Sequence, residues 1–199
     1  MNQKHTRRIV LAALFVALNI VATRILYFYA PTIPPNLVRI SPQMVIEALC
    51  AWIMGPFWGI AVAVVSDILG FFLLPPGFPF HPGYTLSAAT VALLFGGMLH
   101  GRSVKLWRTL VAMVTVTLVV SIGMNTIWGF LNMKLGVFVT FFTSLPWRLG
   151  LMPVYGTLLF LMQKALRGTV EKLNLFPSAS VSPEAPRNSA AAAEISQEK

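Results

Sequence analysis

Residues 75–92 have the sequence PPGFPFHPGYTLSAATVA, a dense loop that leads from one long apolar segment into the next. Its four prolines each fix φ and remove a backbone donor, so the loop is stiff. Gly77 and Gly83 are the positions at which it can bend. Four ring side chains crowd this frame: Phe78, Phe80, His81 and Tyr84. Such a loop suits either a planar ligand that stacks on rings or a static hairpin at a membrane surface, where aromatic residues also gather.

The apolar segments around this loop are typical of an integral membrane protein. Of 199 residues, 56% are hydrophobic and 11% are charged, and the mean hydropathy is +0.74. A spanning helix needs about 20 mainly apolar residues, and the chain has room for about six such helices. The sequence therefore predicts an all-α membrane protein with six transmembrane helices, near residues 9–29, 41–55, 57–74, 85–100, 109–131 and 138–165.

Basic residues give the chain a formal charge of +9. They lack the aromatic interleaving of a nucleic-acid groove, so nucleic acid is not an expected partner. They cluster before the first span, between the fourth and fifth, and after the sixth: Lys4, Arg7, Arg8; Arg102, Lys105, Arg108; Lys164, Arg167, Lys172. With six spans all three clusters lie on one side, which the positive-inside rule makes cytoplasmic. The expected organisation is a cytoplasmic N-terminus at 1–8, a membrane domain at 9–166 and a cytoplasmic, largely disordered tail at 167–199.

A few charged side chains fall inside the apolar segments, where they are costly unless they pair or meet a ligand. They are Arg24 in the first span, Glu47 in the second, Asp67 in the third and Arg148 in the last. Because a helix bundle cannot leave such charges unpaired in hydrocarbon, most of this polarity is predicted to converge in one outward-facing pocket. Glu47 fits a ligand contact and a structural partner of Arg24 or Arg39 equally well.

Polar groups near the outer ends of the fourth and fifth spans are further candidates. Tyr84 and Thr85 stand at a predicted helix N-terminus, which attracts anionic or carbonyl groups. Asn125 and Trp128 lie about one turn apart and could bind a heterocycle, although a helix-packing amide and an interfacial indole have the same pattern. The chain has no nucleotide-binding loop and no clustered histidines, so neither a metal nor another cofactor is expected.

Several segments resemble the substrate-binding S components of energy-coupling factor (ECF) vitamin transporters, most closely the folate type. They are ALFVALNIVATR in the first span, VRIS before the second, MGPFWGIAVAVVSDILGFFLLP across the second and third, PGYTLSA at the fourth, and MNTIW and LPWRLGLMP in the last two. Their order and spacing cover residues 9–166. Two places differ from the usual pattern: His81 and Tyr84 stand where relatives carry phenylalanine, and Glu47 where they carry an apolar or small residue.

The resemblance implies a six-helix subunit that binds one vitamin on its outer side and has no ATPase of its own. Transport would then need a transmembrane coupling protein of the EcfT type and two cytoplasmic ATPases of the EcfA type. Ala13 and Ala17 match the small-residue pattern through which the family docks on the coupling protein. The loop before the fourth helix, with Phe78, Phe80 and Gly83, is the expected gate over the ligand.

Folate, or a reduced folate, is the expected substrate, because its flat pterin and its glutamate tail match the chemistry of the predicted pocket. The residues expected to bind it are Arg24, Asp67, His81, Tyr84, Thr85, Asn125, Trp128 and Arg148. Rings would stack on the pterin, Asn125 and Asp67 would hydrogen-bond its edge, and Arg24 or Arg148 would hold a carboxylate. The alternatives are another water-soluble vitamin, a non-binding scaffold, and a membrane enzyme with Asp67 or Glu47 as acid or base.

Overall fold

The computed structural model describes residues 3–32, 38–75, 80–133 and 137–172, and helices dominate this part of the chain. The helices are α1 (Gln3–Arg24), α2 (Gln43–Met54), α3 (Pro56–Leu73), α4 (Pro82–Leu99), α5 (Leu106–Val116), α6 (Asn125–Met133) and α7 (Val137–Lys172). A π-helical segment, Thr117–Met124, joins α5 to α6 without a break, so that the three form one continuous helical segment. Two short strands, β1 (Phe28–Tyr29) and β2 (Arg39–Ile40), pair antiparallel.

Length and apolarity make most of these helices membrane helices. Five described stretches are long and apolar enough to cross a bilayer: Thr6–Arg24, Pro56–Leu73, Pro82–Leu99, Leu106–Leu131 and Phe141–Val170. Large apolar side chains stay exposed on them, with Phe57 at 84% and Trp107 at 77%. Apolar surface of this extent marks contact with lipid. The predicted class, an all-α multi-pass membrane protein, is therefore confirmed.

Several predicted boundaries are wrong. The first span ends at Arg24 instead of 29, because the chain leaves the helix and pairs Phe28 with Ile40 and Tyr29 with Arg39. At its other end α1 begins at Gln3, and α7 continues to Lys172, so both helices are longer than the spans predicted near 9–29 and 138–165. The expected tail from 173 onward, and Gly77 and Phe78 of the loop, lie outside the described residues.

The second predicted span, α2, is a short helix in the middle of the bundle. Its 12 residues rise about 18 Å, less than the roughly 30 Å of a bilayer core. It packs against α1, α3, α4 and α7, and eight of its residues are buried: Val45, Glu47, Ala48, Leu49, Cys50, Ala51, Trp52 and Ile53. Apart from Gln43 and Glu47, the helix is apolar, as is expected of a helix in such a central position.

At the turn between α2 and α3, the start of α3 lies in close contact with α4. Gly55 takes a φ of 90°, which only glycine adopts readily, and Pro56 then opens α3. Gly96 of α4 lies directly against Pro56, where an added Cβ would stand 2.5 Å from the proline Cα. The tight α3–α4 contact therefore depends on a residue without a side chain.

We expect Gly96→Ala to lower the thermal stability of the purified protein, because overpacking of this kind costs about 1–3 kcal/mol. Gly97→Ala is the matched control, since a Cβ at Gly97 meets no atom within 4 Å. Thermal unfolding in detergent compares the two variants. Equal melting temperatures for both would contradict the close contact between Gly96 and Pro56.

Candidate functional site

A cavity of about 440 Å³ lies among the helices at the end of the bundle where α1 and α3 finish and α2 and α4 begin. We call this the loop end. The volume is within the range of small-molecule pockets. The polar side chains on its wall are Arg24, Tyr29, Arg39, Ser41, Gln43, Glu47, Asp67, His81, Tyr84, Ser87, Thr117, Ser121, Asn125, Arg148 and Tyr155.

The wall changes in character with depth. Along α4 it is formed by His81, Tyr84, Ser87 and then Val91, a descent of about 15 Å at 1.5 Å per residue. The cationic side chains stand nearer the loop end. Arg24 is the last residue of α1, Arg39 lies in β2, and the stretch of α7 around Arg148 packs through Trp147, Leu151 and Tyr155 on the strand cluster of Ala30, Val38 and Ile40. The arginines and the rings of His81 and Tyr84 are thus near the rim, whereas Glu47, Ser87 and Val91 lie deeper.

Arg24 and Asp67 form an ion pair that links three helices. Arg24 Nη2 lies 4.0 Å from Asp67 Oδ1, and the Thr85 hydroxyl donates a 2.6 Å hydrogen bond to Asp67 Oδ2. The Arg24 guanidinium also stands over the ring of Phe71, with Cζ 6.0 Å from the centroid. Gly70 leaves room for it, since a Cβ there would lie 3.3 Å from Arg24 Nε. Both oxygens of Asp67 are therefore engaged within the protein.

Glu47 occupies a second polar cluster and is only 5% exposed. Its Oε1 accepts hydrogen bonds from Gln43 Nε2 at 2.7 Å and from Asn19 Nδ2 at 3.2 Å. Asn19 also donates to Ser66 Oγ at 2.7 Å. Arg39 Nη2 donates to Gln43 Oε1 at 3.4 Å, so that Gln43 stands between the guanidinium and the carboxylate. In the described structure Glu47 therefore has amide partners, and the expected direct pair with Arg24 or Arg39 does not form.

Besides Nε of Arg24, whose guanidinium is paired with Asp67 through Nη2, two polar atoms on the cavity wall are buried without a hydrogen-bond partner among the described residues. They are Arg148 Nη1 and Asn125 Oδ1. Buried polar groups are nearly always satisfied, and an exception in a pocket points to a partner supplied from outside the fold. One is a donor and the other, as the amide is assigned, an acceptor.

Trp128 and Thr85 stand behind the wall and hold it in place. Trp128 Nε1 donates to Ser87 Oγ at 3.0 Å, and its ring lies 5.3 Å from that of His81. Gly83 fits beneath the indole, where a Cβ would approach the ring to 2.5 Å. Gly83 belongs to the first turn of α4, and the close approach of the indole leaves no room for a side chain there.

Of the eight residues expected to bind ligand, six line the cavity: Arg24, Asp67, His81, Tyr84, Asn125 and Arg148. Of the expected gate, Phe80 is on the wall and 5.1 Å from the ring of Phe71. Sequence reasoning missed Gln43, although its i, i+4 spacing from Glu47 on a helix was a usable signal. It also missed Thr117 and Ser121, because no sequence pattern predicts the π-helical segment in which they lie.

Comparisons with known proteins place the whole membrane region in one group. The model of the family "ECF transporter, substrate-specific component" matches residues 7–170. The folate transporter FolT of Clostridium novyi is 30% identical over 148 residues, which are 74% of this chain and 83% of the relative. FolT of Leuconostoc mesenteroides subsp. mesenteroides is 32% identical over 124 residues, which are 62% of this chain and 63% of the relative. A crystal structure of FolT bound with folic acid has a TM-score of 0.67 at 24% identity, covering 82% of this chain and 94% of that one, and shows that the fold is shared.

Proposed function

This chain belongs to the substrate-specific components of ECF transporters, and we propose that it is the folate-binding subunit of an ECF-type importer. The family consists of transporter subunits, so the alternative of a membrane enzyme with Asp67 or Glu47 as acid or base is set aside. Two relatives that are 30% and 32% identical carry the name folate transporter, which favours folate or a reduced folate over another water-soluble vitamin.

The observation that carries this proposal is the surplus of arginine on the cavity wall. Three arginines, Arg24, Arg39 and Arg148, face two carboxylates, Glu47 and Asp67. Arg24 pairs with Asp67, whereas Arg148 Nη1 has no partner within the described part of the chain. An anionic ligand would neutralise this surplus, and the planar guanidinium is suited to bidentate capture of a carboxylate.

Both parts of folate have matching groups on this wall. Its glutamate tail carries two carboxylates, which suit the arginines near the loop end. Its flat pterin suits the rings of Phe71, Phe80, His81 and Tyr84, all of which line the cavity. Binding and orientation of the vitamin are thus the tasks of this chain, and the energy for import would come from ATP hydrolysed by partner subunits.

The partner surface that we propose is the outward face of α1. Ala13 and Ala17 are exposed there, between the exposed apolar side chains of Val10, Leu14 and Leu18. Two small residues four positions apart allow a second helix to approach closely within a membrane. The proposed occupant is the transmembrane coupling protein, which would in turn carry the two cytoplasmic ATPases.

We further propose six crossings with both termini in the cytoplasm of a prokaryotic cell, in its cell membrane. The short α2 can complete the sixth crossing because it is enclosed by other helices and needs no lipid contact along its length. The basic residues support the orientation, since they lie at the start of α1, between α4 and α5, and in the last turns of α7. The loop end and its cavity would then face outward.

Calorimetry on the purified chain is expected to show one site for folic acid and none of comparable affinity for riboflavin. Arg148→Gln should weaken folic acid binding strongly, because losing one member of a buried charge pair costs roughly 2–5 kcal/mol. The same variant should lose little affinity for 6-hydroxymethylpterin, which lacks the glutamate. Arg102→Gln, an exposed cation away from the cavity, controls for net charge.

Each result has a distinct meaning. A wild-type chain that prefers riboflavin would overturn the folate assignment. Equal losses for both pterins in Arg148→Gln would instead show that Arg148 does not hold the tail.

Replacing both Ala13 and Ala17 by leucine is expected to abolish folate uptake in cells that supply the coupling protein and the ATPases. Folate binding by the purified variant should stay near the wild-type value, because neither alanine lines the cavity. Leu93→Phe, which adds bulk at an exposed position of another helix, α4, is the control and should transport. Normal uptake by the double variant would remove α1 as the docking face.

The loop before α4 is proposed to close over bound folate as a lid. Phe80 lies on the cavity wall, and a fluorophore attached after Phe80→Cys, with the buried Cys50 replaced by alanine, would report its surroundings. Saturating folic acid should reduce quenching of the label by a water-soluble quencher. Identical quenching with and without folic acid would leave the loop a static hairpin.

A further inference from the structure

We propose that Glu47, and not Asp67, recognises the hydrogen-bond-donating edge of the ligand's heterocycle, an inference that rests on the proposed folate-binding function. That edge, in a pterin, is the 2-amino group together with the neighbouring ring N–H. Glu47 would thereby set which class of ring the cavity accepts: a 2-aminopyrimidin-4-one and not a ring without adjacent donors.

Asp67 is the less suitable acceptor because its carboxylate is already used. The Thr85 hydroxyl donates to Oδ2 at 2.6 Å, and Arg24 lies 4.0 Å from Oδ1. These contacts join α1, α3 and α4. A ligand that took over Asp67 would have to displace Thr85 or the only cation paired with Asp67 in the described structure.

Glu47 has the opposite arrangement. Both of its hydrogen bonds, from Gln43 and Asn19, end on Oε1, and Oε2 accepts none from the described residues. An ionised carboxylate offers about four lone-pair sites, so the two on Oε2 remain for two further donors. The two amides also fix the carboxylate from α1 and from α2, which orients it before any ligand arrives.

The burial of Glu47 points the same way. It is on the cavity wall, only 5% exposed, and no described cation pairs with it directly, since Gln43 stands between it and Arg39. A buried carboxylate in this state gains from polar N–H donors that enter the cavity. A ring without such donors would leave Oε2 unsatisfied and would be rejected for that reason.

The position of Glu47 agrees with one orientation of the ligand. On α2, which runs inward from the loop end, Glu47 lies one turn below Gln43, whereas Arg24 and Arg39 lie at the loop end itself. A molecule with donors at one end and carboxylates at the other would therefore enter with its ring first. Its tail would then remain near the arginines.

The test compares folic acid with 2-desamino-2-methylfolic acid, in which a methyl group replaces the 2-amino donor. Wild-type protein should bind folic acid about ten- to a hundredfold more tightly, the usual effect of a paired hydrogen-bond contact. Glu47→Gln keeps an oxygen for Gln43 and Asn19 but turns a donor towards the ligand's donors. It should lose folic acid affinity by a similar factor and discriminate between the two ligands by less than about threefold.

Asp67→Asn is the matched control, and it should weaken both ligands equally because its partners are Arg24 and Thr85. Equal affinity of the wild-type protein for the two ligands, or full discrimination by Glu47→Gln, would overturn the assignment of Glu47. The wild-type comparison decides even if the variant does not fold. A wild-type protein that binds neither ligand would instead refute the proposed folate function.

Discussion

The cost of a charge in hydrocarbon is the constraint on which this structure depends. Arg24, Asp67 and Arg148 lie on helices whose outer faces meet lipid, and Glu47 lies on α2, which other helices enclose, so each needs a partner inside the bundle from the protein or from a ligand. Arg24 and Asp67 do so across α1 and α3, and Thr85 ties α4 to the same carboxylate. The charges that shape the cavity therefore also hold its helices in register, and the binding site cannot be separated from the fold.

The same constraint explains where irregular backbone occurs. Non-helical chain at membrane depth is tolerated only where it is covered by protein or lines a cavity. In the described parts of the connection between α1 and α2, the backbone forms the β1–β2 pair and a further hydrogen bond from Ala30 N to Val38 O at 2.9 Å. This strand pair packs on α7 through contacts with Trp147, Leu151 and Tyr155. It lets α2 remain short and central, because the chain returns along the loop end instead of extending α1.

The convergence of charges could be predicted from the sequence, but their pairing could not. Four ionisable residues in apolar segments have to meet, whichever helices carry them. Which atoms meet depends on helix phase and depth, so the choice between Arg24 and Arg39 for Glu47 was left open, and the structure uses the amides of Gln43 and Asn19.

Helix phase also decides the residues that were misplaced. Thr85 and Trp128 have the expected chemistry yet support the wall from behind, because one residue of rotation on a helix moves a side chain by about 100°. The π-helical segment cannot be inferred from Val, Thr and Ser alone, although such segments are frequent at functional sites. The end of α1 at Arg24 was missed because Tyr27, Phe28 and Tyr29 continue an apolar pattern while they leave the helix.

Arg148 is a cation whose buried Nη1 has no hydrogen-bond partner among the described residues. It lies on α7 between Pro146 and Pro153, which lack the N–H that an α-helix interior needs, so this stretch loses two of its own backbone hydrogen bonds. A cation buried there without a protein partner lowers the stability of the empty state. A ligand carboxylate that pairs with the Arg148 guanidinium removes this cost on binding. Because only the folded protein binds the ligand, the same free energy contributes to ligand affinity and to the stability of the complex. The Arg148 guanidinium is thus available to pair with a carboxylate of an anionic vitamin.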